Sequence, residues 1–258
     1  MSQNQVFEPP AFADMQGAPL SQYYNLNGLS DVFLTCDTDW APEFAIEYVL
    51  REVSRLGLKL TVFATGPSLV LQPAPDWLEI GLHPDFTRRN GPWIAERFTA
   101  LKEHYPQAAG MRSHRNFFGQ NVAEAALAAG LSYDVSTLLF NQSLVQAWVD
   151  QYGLTRFAYM WEDGIHLDMG SDLNLEKIRL DVPGLKILNE HPVLIYLNSI
   201  SDDHRRAVTR GYTDLTMAPR AHLDSARNRE RGIGSLWLEL LQLIAENGVR
   251  THLLGDVI

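Results

Sequence analysis

From residue 31 onward, short apolar runs rich in β-branched and aromatic residues alternate with segments whose apolar residues recur at helical spacing. Residues 32–36, 58–64, 77–82, 109–112 and 133–136 read as strands, and 154–160 as a further candidate. Between them, Ile46, Val49, Leu50, Val53 and Leu56 mark a helix over 43–56 that Gly57 stops. The spacing predicts further helices over 93–104 and 122–129, the latter ended by Gly130. Residues 176–180 fit either state. Residues 185–197 form a long β-like run broken at 189–192, and 201–224 is polar and loop-like. Leu236, Leu240, Leu243 and Ile244 predict a last helix ended at Asn247-Gly248, with 249–254 as a closing strand. Strands alternating with helices imply an α/β domain built on a mostly parallel sheet or barrel, whose chemistry collects at the C-terminal ends of the strands.

No linker or repeat divides the chain, so residues 30–258 are expected to form one domain, preceded by an N-terminal arm over 1–29. The arm carries Pro9, Pro10 and Pro19 and has no apolar core. It therefore reads as neither a signal peptide nor a membrane span, and a cytoplasmic protein is expected. A formal charge of −10 and a pI near 5.2 argue against a nucleic-acid partner or an anionic membrane surface, since either needs a basic face. The single cysteine, Cys36, excludes an internal disulfide and a cysteine-built metal site. Beside two carboxylates it reads as a structural thiol rather than a nucleophile.

The strand ends are where polar groups gather. Asp37 and Asp39 follow the first strand, two residues apart, a spacing that in extended chain points both side chains the same way. Two like charges this close call for a cation or a shared proton between them, and the alternative is that both are simply turn and helix-cap residues. His83 follows the third strand, Arg112-Ser113-His114 the fourth, Glu162-Asp163 the irregular middle, and His191 lies in the late run. Imidazoles and a carboxylate suit a zinc-like divalent ion held by three protein ligands with one position open. A second carboxylate would act as base and a separate histidine as acid. Hydrolysis of an amide or ester is the natural use of such a set.

Five short motifs in order resemble those of the polysaccharide deacetylases of the NodB-homology group, carbohydrate esterase family 4, and most of all their WbmS-like branch. Cys36-Asp37-Thr38-Asp39-Trp40 is similar to the first motif, which implies Asp37 as general base and Asp39 as metal ligand. Leu82-His83-Pro84 is similar to the second, which implies His83 as metal ligand. That motif's second histidine position is Thr87 here, so the resemblance lacks one ligand, and His114 is the best candidate to supply it, with Glu162 in reserve. Arg112 fits the arginine that steadies the base, and Trp161-Glu162-Asp163 is a loose match to the fourth motif. Leu188-Asn189-Glu190-His191 fits the fifth, which implies His191 as general acid with Asp163 raising its pKa.

The resemblance implies a distorted (β/α) barrel of the NodB-homology type and zinc-dependent removal of acetyl groups from N-acetylated or O-acetylated sugars, in surface-polysaccharide biosynthesis. The missing histidine keeps a second reading open, an inactive deacetylase-like carbohydrate-binding protein. A third is another C–N amide hydrolase, because a fold does not set its substrate.

Overall fold

The computed structural model describes residues 32–87, 93–212 and 214–258. The expected arm over 1–29 lies outside them. Strands β1 (Val32–Asp37), β2 (Leu60–Ala64), β3 (Leu78–Leu82), β4 (Gly110–Met111) and β5 (Tyr133–Asp134) follow one another through helices α1 (Glu43–Arg55), α2 (Ile94–His104) and α3 (Gln120–Ala128). The short strands β6 (Trp148–Val149), β7 (Thr155–Arg156) and β8 (Trp161–Glu162) come next, then α4 (Asp163–Asp168) and β9 (Lys186–Glu190). Helices α5 (Pro192–Leu197), α6 (Asp202–Thr209), α7 (Arg220–Ala226) and α8 (Ile233–Glu246) complete the chain.

Among the described residues the nine strands form one sheet in the order β6-β7-β5-β4-β3-β2-β1-β9-β8, and every pair except β6–β7 is parallel. Every residue of β1 and β2 is buried, as expected for central strands covered on both faces. The run 155–162 gives the sheet its curl. Phe157 N donates to Asp134 O at 2.8 Å beside β5, whereas Met160 N donates to Ile187 O at 2.8 Å beside β9. One extended run thus touches both sides of the sheet and draws it into a distorted barrel.

The barrel interior is filled by large rings, and two glycines make room for them. A Cβ on Gly81 would fall 2.7 Å from the Phe63 ring, and one on Gly110 would fall 1.9 Å from the Tyr133 ring. Outside, α1 packs against α5, and α5 against α8. Among the described residues no helix is long and apolar enough to cross a membrane.

Three stretches differ from the sequence reading. The run 185–197 is not one strand: β9 stops at Glu190, and Pro192 opens α5, whose six residues are all buried. A helix that is apolar all round has no polar face to betray its period, and proline suits its first turn. The polar stretch 201–224 contains α6, whose N-cap Ser201 accepts from His204 N, and part of α7. Only Val208 of α6 is buried, so the Ser201 cap and the ion pairs of Asp202 with Arg205 and Arg206 hold this helix more than an apolar stripe does. The expected closing strand over 249–254 is reduced to a single bridge between Thr251 and Val32, followed by a helical turn at Leu254–Val257.

Candidate active site

The loops after β1, β3, β4 and β9 converge at one mouth of the barrel. Asp37 closes β1, but Asp39 does not continue it. Asp39 and Trp40 take the left-handed conformation, with φ of 43° and 57°. The turn is tied to β2, where Thr38 N donates to Phe63 O at 3.1 Å and Trp40 N to Thr65 Oγ1 at 3.1 Å. Strand alternation therefore does not aim the two carboxylates, as the spacing suggested. A turn pinned to the neighbouring strand does.

Asp39 Oδ1 is the focus of the cluster. His83 Nε2 lies 3.1 Å from it and His114 Nδ1 3.2 Å, and these two nitrogens are 3.4 Å apart. One ligand atom from each of the three residues lies within 4.8 Å of the other two, close enough to surround a metal ion. Burial alone would raise the Asp39 carboxyl. Hydrogen bonds from His114 and His83, with the charges of His191 and His83, outweigh it and hold the group well below the usual carboxylate range. Two imidazole nitrogens crowded on one ionised oxygen are a donor set that fits a divalent cation of the zinc type. Thr87 N–H and its hydroxyl both donate to Asp85 Oδ1, at 2.9 and 2.6 Å. Glu162 is not one of the three clustered groups, and its Oε2 accepts the Tyr159 hydroxyl at 2.7 Å.

Asp37 sits deeper. Its Oδ1 accepts from Arg112 Nη1 at 3.0 Å, and its Oδ2 accepts from Asn189 Nδ2 at 2.9 Å. His83 Nδ1 approaches Asp37 Oδ1 only to 3.5 Å and has no hydrogen-bond partner among the described residues. Burial by itself would lower the His83 imidazole, but the charge of Asp37 and the contact with Asp39 leave it raised. Arg112 is stacked between rings, its guanidinium carbon 4.3 Å from the Tyr159 centroid and 4.7 Å from that of Phe63.

His191 caps α5, and Asp163 begins α4. His191 Nδ1 donates to Asp163 Oδ1 at 2.6 Å, and its backbone N donates to Oδ2 at 2.8 Å. That leaves Nε2 toward the cluster, 3.7 Å from Asp39 Oδ2. Burial would lower the His191 pKa, yet the charge and hydrogen bond of Asp163, then Asp39 and Glu162, hold it well above the ordinary value. Burial also pushes the Glu162 carboxyl up, opposed by His191 and the Tyr159 hydroxyl. Cys36 is buried beside this site, its thiol pushed far up by burial and by Glu190 and Asp37.

Asp37, Asp39, His83, Arg112, His114, Asp163 and His191 thus meet at one mouth. The sequence reading assigned no role to Thr35 or Asn189. Both are buried, and they complete the shell that holds Asp37 and Arg112. Their signal was a polar residue inside an apolar strand run, two positions before Asp37 and two before His191.

A family model for WbmS-like polysaccharide deacetylases matches residues 34–209, more than half of the chain and a span that runs from before Asp37 to beyond His191. The chain belongs to this family. A WbmS-like polysaccharide deacetylase is a hydrolase that acts on amide bonds. Among solved structures, a protein of Bordetella bronchiseptica assigned as a polysaccharide deacetylase involved in O-antigen biosynthesis is 23% identical, with a TM-score of 0.71 over 82% of this chain and 90% of that one. A family 4 carbohydrate esterase from Streptomyces lividans is 12% identical, with a TM-score of 0.46 over 88% of this chain and 94% of that one. A peptidoglycan N-acetylglucosamine deacetylase is 14% identical, with a TM-score of 0.46 over 91% and 90%. The Bordetella structure shares the fold. No curated protein sequence matches the chain.

Proposed function

We propose that this family member removes the acetyl group from an N-acetylated sugar of a surface polysaccharide, in a reaction that depends on zinc held by Asp39, His83 and His114. An O-acetylated sugar would be cleaved by the same chemistry. One observation carries the reading: a carboxylate and two imidazoles within ion-binding distance lie beside a second, buried carboxylate and a carboxylate-paired histidine. Zinc bound there would polarise the acetyl carbonyl and lower the pKa of water to ~7.

The chain's own groups would manage the protons. Asp37 has one donor on each oxygen, and a carboxylate oxygen has a second lone pair, so it retains the capacity to take a proton from the attacking water. Arg112 and Asn189 hold its plane. Asp163 fixes His191 as the tautomer with its proton on Nδ1 and favours the doubly protonated ring. Nε2 then gives its proton to the departing amine as the carbon–nitrogen bond breaks, leaving acetate and a free amino sugar. His114, standing in for the histidine replaced by Thr87, weighs against an inactive protein.

Metal content of the purified chain and acetate release from acetylated oligosaccharides test this together. Stoichiometric zinc with acetate release supports it. Glycan binding with no tight ion and no acetate would make the chain a carbohydrate-binding protein, and release from simple acyl amides alone would make it another amide hydrolase.

A further inference from the structure

The third candidate ligand, His114, stands on an unusual piece of chain. It opens the helical turn His114–Asn116, in which Arg115 and Asn116 both take left-handed conformations, with φ of 56° and 55°. Residues other than glycine seldom adopt this conformation, and two in succession do not persist unless their surroundings hold them. Behind His114 the chain is anchored, with His114 N donating to Pro84 O at 3.0 Å and Ser113 N to Ser136 Oγ at 2.8 Å. Ahead of it, the bond from Asn116 N to Ser113 O closes the turn, and the Phe117 ring lies 6.1 Å from that of Phe86.

The side chain of Asn116 reaches across the mouth instead. Its Nδ2 donates to Tyr159 Oη at 2.8 Å, forty-three residues away in sequence. The Tyr159 hydroxyl spends its own proton on Glu162 Oε2 at 2.7 Å, so its lone pairs are what it offers Asn116. Tyr159 belongs to the run 155–162 that bridges β5 and β9, so the hydroxyl hangs from a part of the barrel fixed on both sides. Its ring also lies against Arg112.

We infer that Tyr159 is a positioning residue for the metal centre: its hydroxyl holds Asn116, and through it the turn that aims the His114 imidazole at Asp39. The inference rests on the reading of Asp39, His83 and His114 as metal ligands. It deepens that reading by explaining how a histidine outside the second motif is kept in place. Glu162, oriented toward Tyr159, serves this relay and is not a ligand.

Two substitutions isolate the link. Tyr159→Phe removes the hydroxyl and keeps the ring over Arg112. Asn116→Gly removes the amide and leaves a residue at ease with a φ of 55°. Zinc affinity, measured by competition with a chromophoric chelator, is expected to fall by about 10- to 100-fold in each, the range for losing a group that orients a ligand. The double variant should lose no more than the worse single one, because both break the same bond. Thermal melting of the metal-free chains reports folding separately, and Asn116→Gly stands in if Tyr159→Phe fails to fold. Affinities within twofold of the parent, or losses that multiply in the double variant, overturn the inference and leave the hydrolase reading intact. A parent chain that holds no stoichiometric zinc removes the centre itself, and with it both proposals.

Discussion

Arg112 Nη1 donates to Asn189 Oδ1 at 2.5 Å, joining the end of β4 to β9 across the interior of the barrel. The same nitrogen reaches Asp37 Oδ1 at 3.0 Å, Arg112 Nη2 reaches Thr35 Oγ1 at 3.0 Å, and Nε reaches Val135 O at 3.3 Å. A buried guanidinium fully used in this way fixes where a buried carboxylate stands. Breaking such a pair by removing one partner is costly, because the other charge is left without compensation.

Arg112→Met is therefore expected to destabilise the fold by about 3–5 kcal/mol, read from urea denaturation. Arg112→Lys should recover only part of this, since an ammonium lacks the planar fork that serves several acceptors at once. A loss under about 1 kcal/mol for the methionine variant would mean that Asp37 is not held by this residue.

Asp37→Asn keeps the shape and the contact with Arg112 but gives up proton acceptance. Turnover should fall by about 10²- to 10⁴-fold, the usual contribution of a general base, while zinc content stays at the parent level. Full turnover in this variant would place the base elsewhere. Loss of the ion would mean that Asp37 holds the metal rather than the proton.

Chelation should lower the melting temperature of the parent chain, since an ion that binds only the folded state adds about 2.7 kcal/mol at one hundred times its dissociation constant. His114→Ala should bind zinc weakly and melt at the same temperature with or without chelator. If chelator still shifts the melting of His114→Ala as far as that of the parent, His114 is not a ligand.

Glu190 gives the clearest pH dependence. It is buried in β9 with Oε1 unpartnered among the described residues, and burial, then the charge of Asp163, pushes its carboxyl well above the usual value. For an acid raised on folding, the folded chain binds the extra proton and stability falls as pH rises. The fall starts near the unfolded carboxyl's pKa of about 4.3 and continues to the raised folded value, at up to about 1.4 kcal/mol per pH unit. Glu190→Gln removes this slope, so it should be more stable than the parent at pH 8, with the gain vanishing near pH 4. A difference between the two chains that does not change across that range would show Glu190 ionised in the folded state.

Much of this was legible along the chain. The order of β1 to β5 follows from short apolar runs that report burial on both faces, and Asp37, His83, Arg112, His114 and His191 stood out as polar residues at the ends of such runs. What the amino-acid order could not state is which distant groups meet. Asp37 finds Asn189 at a separation of 152 residues, and it does so because β1 pairs with β9 in a register that sets Thr35 beside Asn189. Pairing and register are decided by the closing of the sheet, to which no single element's periodicity is sensitive.

The same division runs through the misreadings. Residues 192–197 look like a strand because every one of them is apolar, yet they form a helix that opens on Pro192 and packs against α1 and α8. Asp39 reads as the partner of Asp37 by strand alternation, yet it reaches His83 and His114 through a left-handed turn pinned to β2. By itself the sequence determined the inventory of acids, imidazoles and strands, because burial and chemistry are local properties of residues. Only the tertiary structure decided their pairing, because hydrogen bonds across a curled sheet depend on strand order, register and turns that local pattern does not encode.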